Sequence, residues 1–177
     1  MIFRETPLRG AFVIDVEIRS DERGFFGRTY CEQEFAAHGL AVRWVQCNLS
    51  GNVHAGTLRG MHYQVFPHAE AKLVRCSAGR LYDVIIDLRA GSPSYLQHFG
   101  IELSARNHTM LYIPEGLAHG FQVLEDHTEM FYQMSAFYNP ESARGVRWDD
   151  PLFGIRWPIE TRIISDRDQA YPDFQPA

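Results

Sequence analysis

Apolar and polar residues alternate along this chain in short blocks rich in β-branched and aromatic side chains. A period of two is what a strand shows when one face meets a core and the other meets water. Strands are therefore expected over residues 10–19, 42–50, 56–64, 72–77, 80–88, 98–103, 109–113, 120–124 and 128–137. Turn residues separate nearly all of these blocks. The links Ser77-Ala78-Gly79 and Glu125-Asp126-His127 have the length that hairpins favour, so their flanking strands are expected to pair antiparallel. Only two stretches carry a helical pattern: 31–38, stopped by Gly39, and a short turn after Ser165. Residues 140–158, dense in turn formers and aromatics, are expected to wrap the outside, and the tail from Tyr171 is expected to fray unless a partner subunit holds it. Many short strands with few helices predict an all-β sandwich or barrel.

Length and charge narrow the function. The 177 residues suit a single domain over 1–177, large enough to bury a core without disulfides or metal. A net charge of −5 argues against nucleic acid as a partner, which calls for a basic stripe. Arg23, Arg28, Arg59, Lys72 and Arg75 nevertheless crowd the first half, which leaves room for a local cationic pocket that takes a small anion. Three cysteines without a CxxC spacing suit reduced thiols. The start MIFRETPLRG lacks the apolar core of a signal peptide, and no stretch is long enough to span a membrane, so a cytoplasmic protein is expected.

The segment LRGMHYQ, Leu58 to Gln64, sets an arginine and a histidine in an apolar strand-like run. Imidazole titrates near neutrality, so His62 is a candidate general base, although a strand histidine is more often a hydrogen-bonded structural residue. Strict alternation puts His62 on one face and Arg59 on the other. A bulge at Gly60 would bring both into one cavity. Ser165-Asp166-Arg167-Asp168 reads as a helix cap in which Asp168 reaches back to the first amides. Lys72 and Arg75 read equally well as solvated strand charges, and Tyr132 as a core aromatic.

Pro114 to His119 has the PxGxxH spacing of the second metal-binding motif of cupins, which are small β-barrels with an internal cavity. The first cupin motif is not matched, because His62-Tyr63-Gln64 lacks the second imidazole and His68 and Glu70 fall at the wrong spacing. A metal site built from His62, His68, Glu70 and His119 stays open as an alternative, with an oxygenase or isomerase activity.

Beyond these local features, SDERGFF (Ser20 to Phe26), LRGMHYQ, KLVRC (Lys72 to Cys76), YDVIIDLRAGSPSY (Tyr82 to Tyr95), YIPEGLAHGF (Tyr112 to Phe121), EMFYQ (Glu129 to Gln133) and RWDDP (Arg147 to Pro151) occur in this order over almost the whole chain. The sequence resembles the dTDP-4-dehydrorhamnose 3,5-epimerase family. The resemblance implies a cupin-type jelly-roll barrel with a few short peripheral helices, working without metal or other cofactor as a homodimer on a nucleotide sugar. It places the base on His62, its orienting carboxylate on Asp168, the proton donor on Tyr132 and the group near the ketone on Lys72. Arg23, Phe26, Gln46, Asn48, Arg59, His119 and Tyr138 match substrate-binding positions, with Phe26 presented across the dimer. Arg28, Cys47, Ala143 and Arg167 stand where the family commonly has glutamate, aspartate, glutamate and lysine. These departures bear on which base and sugar are recognised and on whether C3, C5 or both are inverted. A sugar-nucleotide binder that has lost turnover is the third reading.

Overall fold

Alternation with one dry face builds two sheets here, and each sheet also has its outer face partly covered. The computed structural model describes residues 1–176. Its elements in chain order are β1 (Ile2–Glu5), β2 (Phe12–Asp15), β3 (Arg19–Asp21), β4 (Gly24–Phe26), α1 (Glu32–Ala37), β5 (Gln46–Asn52), β6 (Leu58–Gln64), β7 (Lys72–Ala78), β8 (Arg80–Asp87), β9 (His98–Ser104), β10 (Thr109–Ile113), β11 (Leu117–Val123), β12 (Thr128–Met134), β13 (Ala143–Gly145) and α2 (Asp166–Gln169). A six-stranded sheet runs β1-β2-β10-β7-β12-β5 and a five-stranded sheet runs β13-β6-β11-β8-β9, while β3 and β4 form a separate hairpin. Pairing is antiparallel in both sheets and in the hairpin. This is the expected all-β jelly roll of cupin type.

The main core lies between the sheets. Val13, Val74, Leu111, Ile113 and Met130 of one sheet meet Leu81, Ile85, Leu103, Leu117, Phe121 and Val123 of the other, all 5 % exposed or less. Burying such side chains stabilises the fold by roughly 1.5–3 kcal/mol each. On the outer face of the larger sheet, α1 seats Phe35 against Ile14, Leu73, Met110 and Tyr112. The outer face of the smaller sheet buries Met61, Val84, Ile86 and Ala118 under Val146 and Phe153, which the long 140–158 segment supplies as expected. That cover leaves β11 buried on both faces. Its residues therefore do not alternate, which is why sequence patterning starts this strand at Gly120 and leaves Leu117 to His119 in a turn.

Two local expectations fail. The links 77–79 and 125–127 are not hairpins within a sheet: β7 and β8 lie in different sheets, as do β11 and β12. Both links turn the corner of the sandwich, and Thr128 ties them together by accepting the Arg80 N–H at 3.2 Å and donating to the Glu125 carbonyl at 2.7 Å. A short loop serves a corner as well as a hairpin, so length does not separate them. The tail is also tied to its own chain over its described residues, 171–176, while Ala177 lies outside them. Arg147 pairs with Asp173 at 2.7 Å, the Phe174 N–H donates to Asp150 Oδ2 at 2.6 Å, and the Phe174 ring packs on Phe153. Among the described residues no helix is long and apolar enough to cross a membrane.

Candidate active site

At one end the sheets part around a cavity of about 740 Å³, a volume in the range of small-molecule sites. The five-stranded sheet contributes Arg59 and His62 from β6 and His119 from β11. The six-stranded sheet contributes Lys72 from β7, Tyr132 from β12, and Gln46 and Asn48 from β5. Tyr138, Ala143, Arg144, Arg167 and Asp168 complete the wall.

Arg59 and His62 share this cavity because β6 carries an extra residue. His119 pairs with His62, but Phe121 pairs with Arg59, so three steps on β6 face two on β11. The bulge sits where the sequence suggested, at Gly60, whose φ is +130°. Gly60 and Gly120 allow the close approach: a Cβ on Gly60 would lie 2.5 Å from Gly120 Cα, and one on Gly120 would lie 2.6 Å from Met61 Sδ. Met61 is thereby turned into the outer cluster while its neighbour His62 faces inward.

His62 Nε2 lies 2.6 Å from Asp168 Oδ1, and Asp168 Oδ2 accepts the Gly60 N–H at 3.2 Å. Asp168 is only 4 % exposed. Burial pushes its carboxyl up, but the bond and charge of His62 with the Gly60 and Ser165 contacts pull harder and leave it below the ordinary aspartate value. The helix start differs from the expected cap in one respect. Ser165 Oγ accepts the Asp168 N–H at 3.1 Å, while the Asp168 carboxylate leaves the helix for His62 instead of reaching back to the first amides.

Lys72 is 6 % exposed; its Nζ lies 2.6 Å from Glu70 Oε1 and donates to the His62 carbonyl at 3.3 Å. An ammonium has three N–H groups, so one is left for the cavity. Tyr132 packs partly on the main core. Burial raises its phenol above the ordinary tyrosine value, with Arg59 pulling the other way. His119 Nε2 meets Asp83 Oδ2 at 2.9 Å, and Asp83 is fully buried. Burial raises the Asp83 carboxyl against the pull of His119 and Lys72. Sequence reasoning missed Asp83, though a carboxylate inside the apolar run YDVIID was a signal of a buried partner.

The mouth is cationic. Arg59 Nε donates to Asn52 Oδ1 at 2.8 Å, Arg144 to the carbonyls of Glu141 and Ala143, and Arg167 Nε to the Tyr171 hydroxyl at 3.0 Å. Neutral acceptors hold these guanidiniums, which keeps their charge available to an anion. Gln46 Nε2 donates to Asn48 Oδ1 at 3.0 Å, and Gln46 Oε1 accepts the Tyr138 N–H at 3.1 Å.

Arg23 and Phe26 are not brought to this cavity. They stand on the β3–β4 hairpin, where Arg23 pairs with Asp21 and Phe26 is 70 % exposed. Of the four departures, Ala143 and Arg167 line the cavity. Arg28 instead pairs with Glu34 at 3.0 Å, and Cys47 is exposed on the strand face opposite Gln46 and Asn48, so within one chain neither charge change faces the cavity. The alternative metal set does not converge. His68 turns to Ser142 Oγ at 2.9 Å and to Asn139, Glu70 is taken by Lys72, and no group of three His, Cys, Asp or Glu among the described residues is placed to hold an ion.

The family model for dTDP-4-dehydrorhamnose 3,5-epimerase matches residues 5–176. A dTDP-4-dehydrorhamnose 3,5-epimerase of Shigella flexneri is 41% identical over 165 residues, 93% of this chain and 91% of that protein. The crystal structure of the enzyme of that name from Elizabethkingia anophelis superposes with a TM-score of 0.95 at 41% identity, covering 98% of this chain and 96% of the other. ChmJ of Streptomyces bikiniensis, a 3'-monoepimerase solved in complex with dTDP-quinovose, superposes at 0.88 with 32% identity over 94% of this chain and 85% of its own. The chain belongs to the dTDP-4-dehydrorhamnose 3,5-epimerase family and is an isomerase of the epimerase class.

Proposed function

We propose that this chain inverts C3 and C5 of dTDP-4-dehydro-6-deoxyglucose, giving dTDP-4-dehydro-L-rhamnose for deoxysugar biosynthesis, with His62 as base and Tyr132 as acid. The observation that carries this reading is the placing of the His62–Asp168 pair and Tyr132 on different sheets around one cavity. Inversion requires a proton to leave one face of a carbon and another to arrive on the opposite face, which a single histidine does not provide.

The ketone at C4 acidifies the hydrogens on C3 and C5. His62 takes one of them, and the C–H electron pair moves into an enolate whose oxygen receives the free N–H of Lys72. Asp168, held as a carboxylate, stabilises the imidazolium and fixes its ring. The electron pair then returns to carbon as Tyr132 delivers its proton to the other face. Burial keeps that phenol protonated until needed, and Arg59 favours the phenolate that results. Exchange with water resets both groups. Arg59 and Arg167 suit the diphosphate, and Gln46, Asn48, His119 and Tyr138 suit the sugar and nucleoside.

The reading extends to a single domain over 1–177 in a cytoplasmic homodimer whose β3–β4 hairpin carries Arg23 and Phe26 toward the partner's substrate. Turnover in deuterium oxide tests the chemistry: label at both C3 and C5 with inversion is expected. Label at C3 alone would make the enzyme a 3-epimerase like ChmJ. No label with any 4-keto nucleotide sugar, or full exchange retained in both His62→Ala and Asp168→Asn, would overturn the proposal.

A further inference from the structure

Gly145 on β13 lies directly opposite His62 on β6. Its missing side chain leaves a slot, and the ring of Tyr171 fills it so closely that a Cβ on Gly145 would lie 2.2 Å from Tyr171 Cε2 and Cζ. From this seat Tyr171 meets the His62 ring edge to face, with centroids 6.4 Å apart. Its hydroxyl accepts the Arg167 Nε–H at 3.0 Å, and the Arg167 guanidinium stands 6.0 Å over the ring. One side chain thus touches both the base and a cation of the mouth.

We propose that Tyr171 is a positioning residue with two separable actions: its ring confines the His62 imidazole so that Nε2 stays on Asp168, and its hydroxyl aims Arg167 at the anionic part of the substrate. This rests on the assignment of His62 as base and of the mouth as the diphosphate subsite. An imidazole turns about χ2 in a broad well, so a hydrogen bond at one nitrogen alone leaves the ring free to tilt, and a packed ring edge removes that freedom. Misplacing a base by about 1 Å costs on the order of 100-fold in rate. Loss of one hydrogen bond to a charged group weakens binding about tenfold.

Three variants separate the actions. Tyr171→Phe keeps the ring and is expected to raise KM about tenfold with kcat unchanged. Tyr171→Ala removes the ring, and Gly145→Ala evicts it. Each is expected to lower kcat for deuterium exchange 10- to 100-fold and to change the nitrogen-15 shifts of the His62 ring, which Tyr171→Phe leaves alone. A parent-like kcat in whichever of the last two folds, or a parent-like KM in Tyr171→Phe, overturns the inference. His62→Ala measured alongside keeps the failures distinct. If it retains exchange, the base assignment falls; if it is inactive while the Tyr171 and Gly145 variants behave as the parent, only the positioning role falls.

Discussion

Asp168 joins folding to chemistry in a single residue, because its N–H completes the start of α2 while its carboxylate serves His62. Asp168→Asn is expected to keep the fold but lower kcat on the order of 10³- to 10⁴-fold, as when a base loses its orienting charge. The same contacts set a pH dependence. The Asp168 carboxyl is lowered on folding, so its contribution to stability is fully present above the ordinary aspartate value near 4 and is lost as pH falls through the lower folded value. Denaturant titrations from pH 6 to pH 2 are expected to give the parent an advantage over Asp168→Asn that shrinks as acid is added. Tyr132 titrates the other limb. Its raised phenol predicts a fall in kcat only above pH 10, and Tyr132→Phe is expected to lose inversion while still exchanging label at the carbon His62 reaches. At this scale the sequence was legible where a residue type has few uses in a cavity, as for His62, whereas Lys72 read equally well as a solvated strand charge until the resemblance placed it. Asp168 showed only its cap-like spacing, since a contact across 106 positions leaves no local trace. Its role came from the resemblance.

Among the elements, the bulged β6 decides whether the site exists. Gly60→Ala meets both a positive φ and the backbone of Gly120, and is expected to destabilise the fold by at least about 2 kcal/mol and to abolish exchange, as read from a denaturation midpoint and an activity assay. That bulge was foreseeable, because a glycine between an arginine and a histidine that need the same face leaves few other solutions. The helix at 31–38 was equally plain: α1 runs Glu32–Ala37 and Gly39 follows at φ +68°. Four strands escaped. β1 and β13 are too short for alternation to register, and β3 and β4 are exposed throughout, so they have no buried face to set up an alternation. The block at 10–19 also merged β2 with β3, which belong to different sheets, since an apolar run shows no break where the chain merely changes direction.

For the whole molecule, large apolar side chains stand exposed at several places, among them Phe25 and Phe26 on the hairpin and Leu49 on the edge strand β5. The two adjacent phenylalanines of the hairpin are the feature that the proposed homodimer would cover. Sedimentation is expected to give twice the chain mass, and Phe26→Ala to raise KM while leaving kcat and Tm near those of the parent. An unchanged KM would remove the hairpin from the substrate site.

Because the proposed proton acceptor and donor ride on separate sheets, the gap between His62 and Tyr132 is set by side chains that line neither wall of the cavity. Leu111, Leu81 and Ile85 act as spacers between two rigid plates. Trimming one lets the plates settle, and a settled enzyme would still strip hydrogen from carbon yet hand it back on the face it left. Isotope would then accumulate in sugar of unaltered configuration, making stereochemical fidelity a gauge of how well the interior is filled.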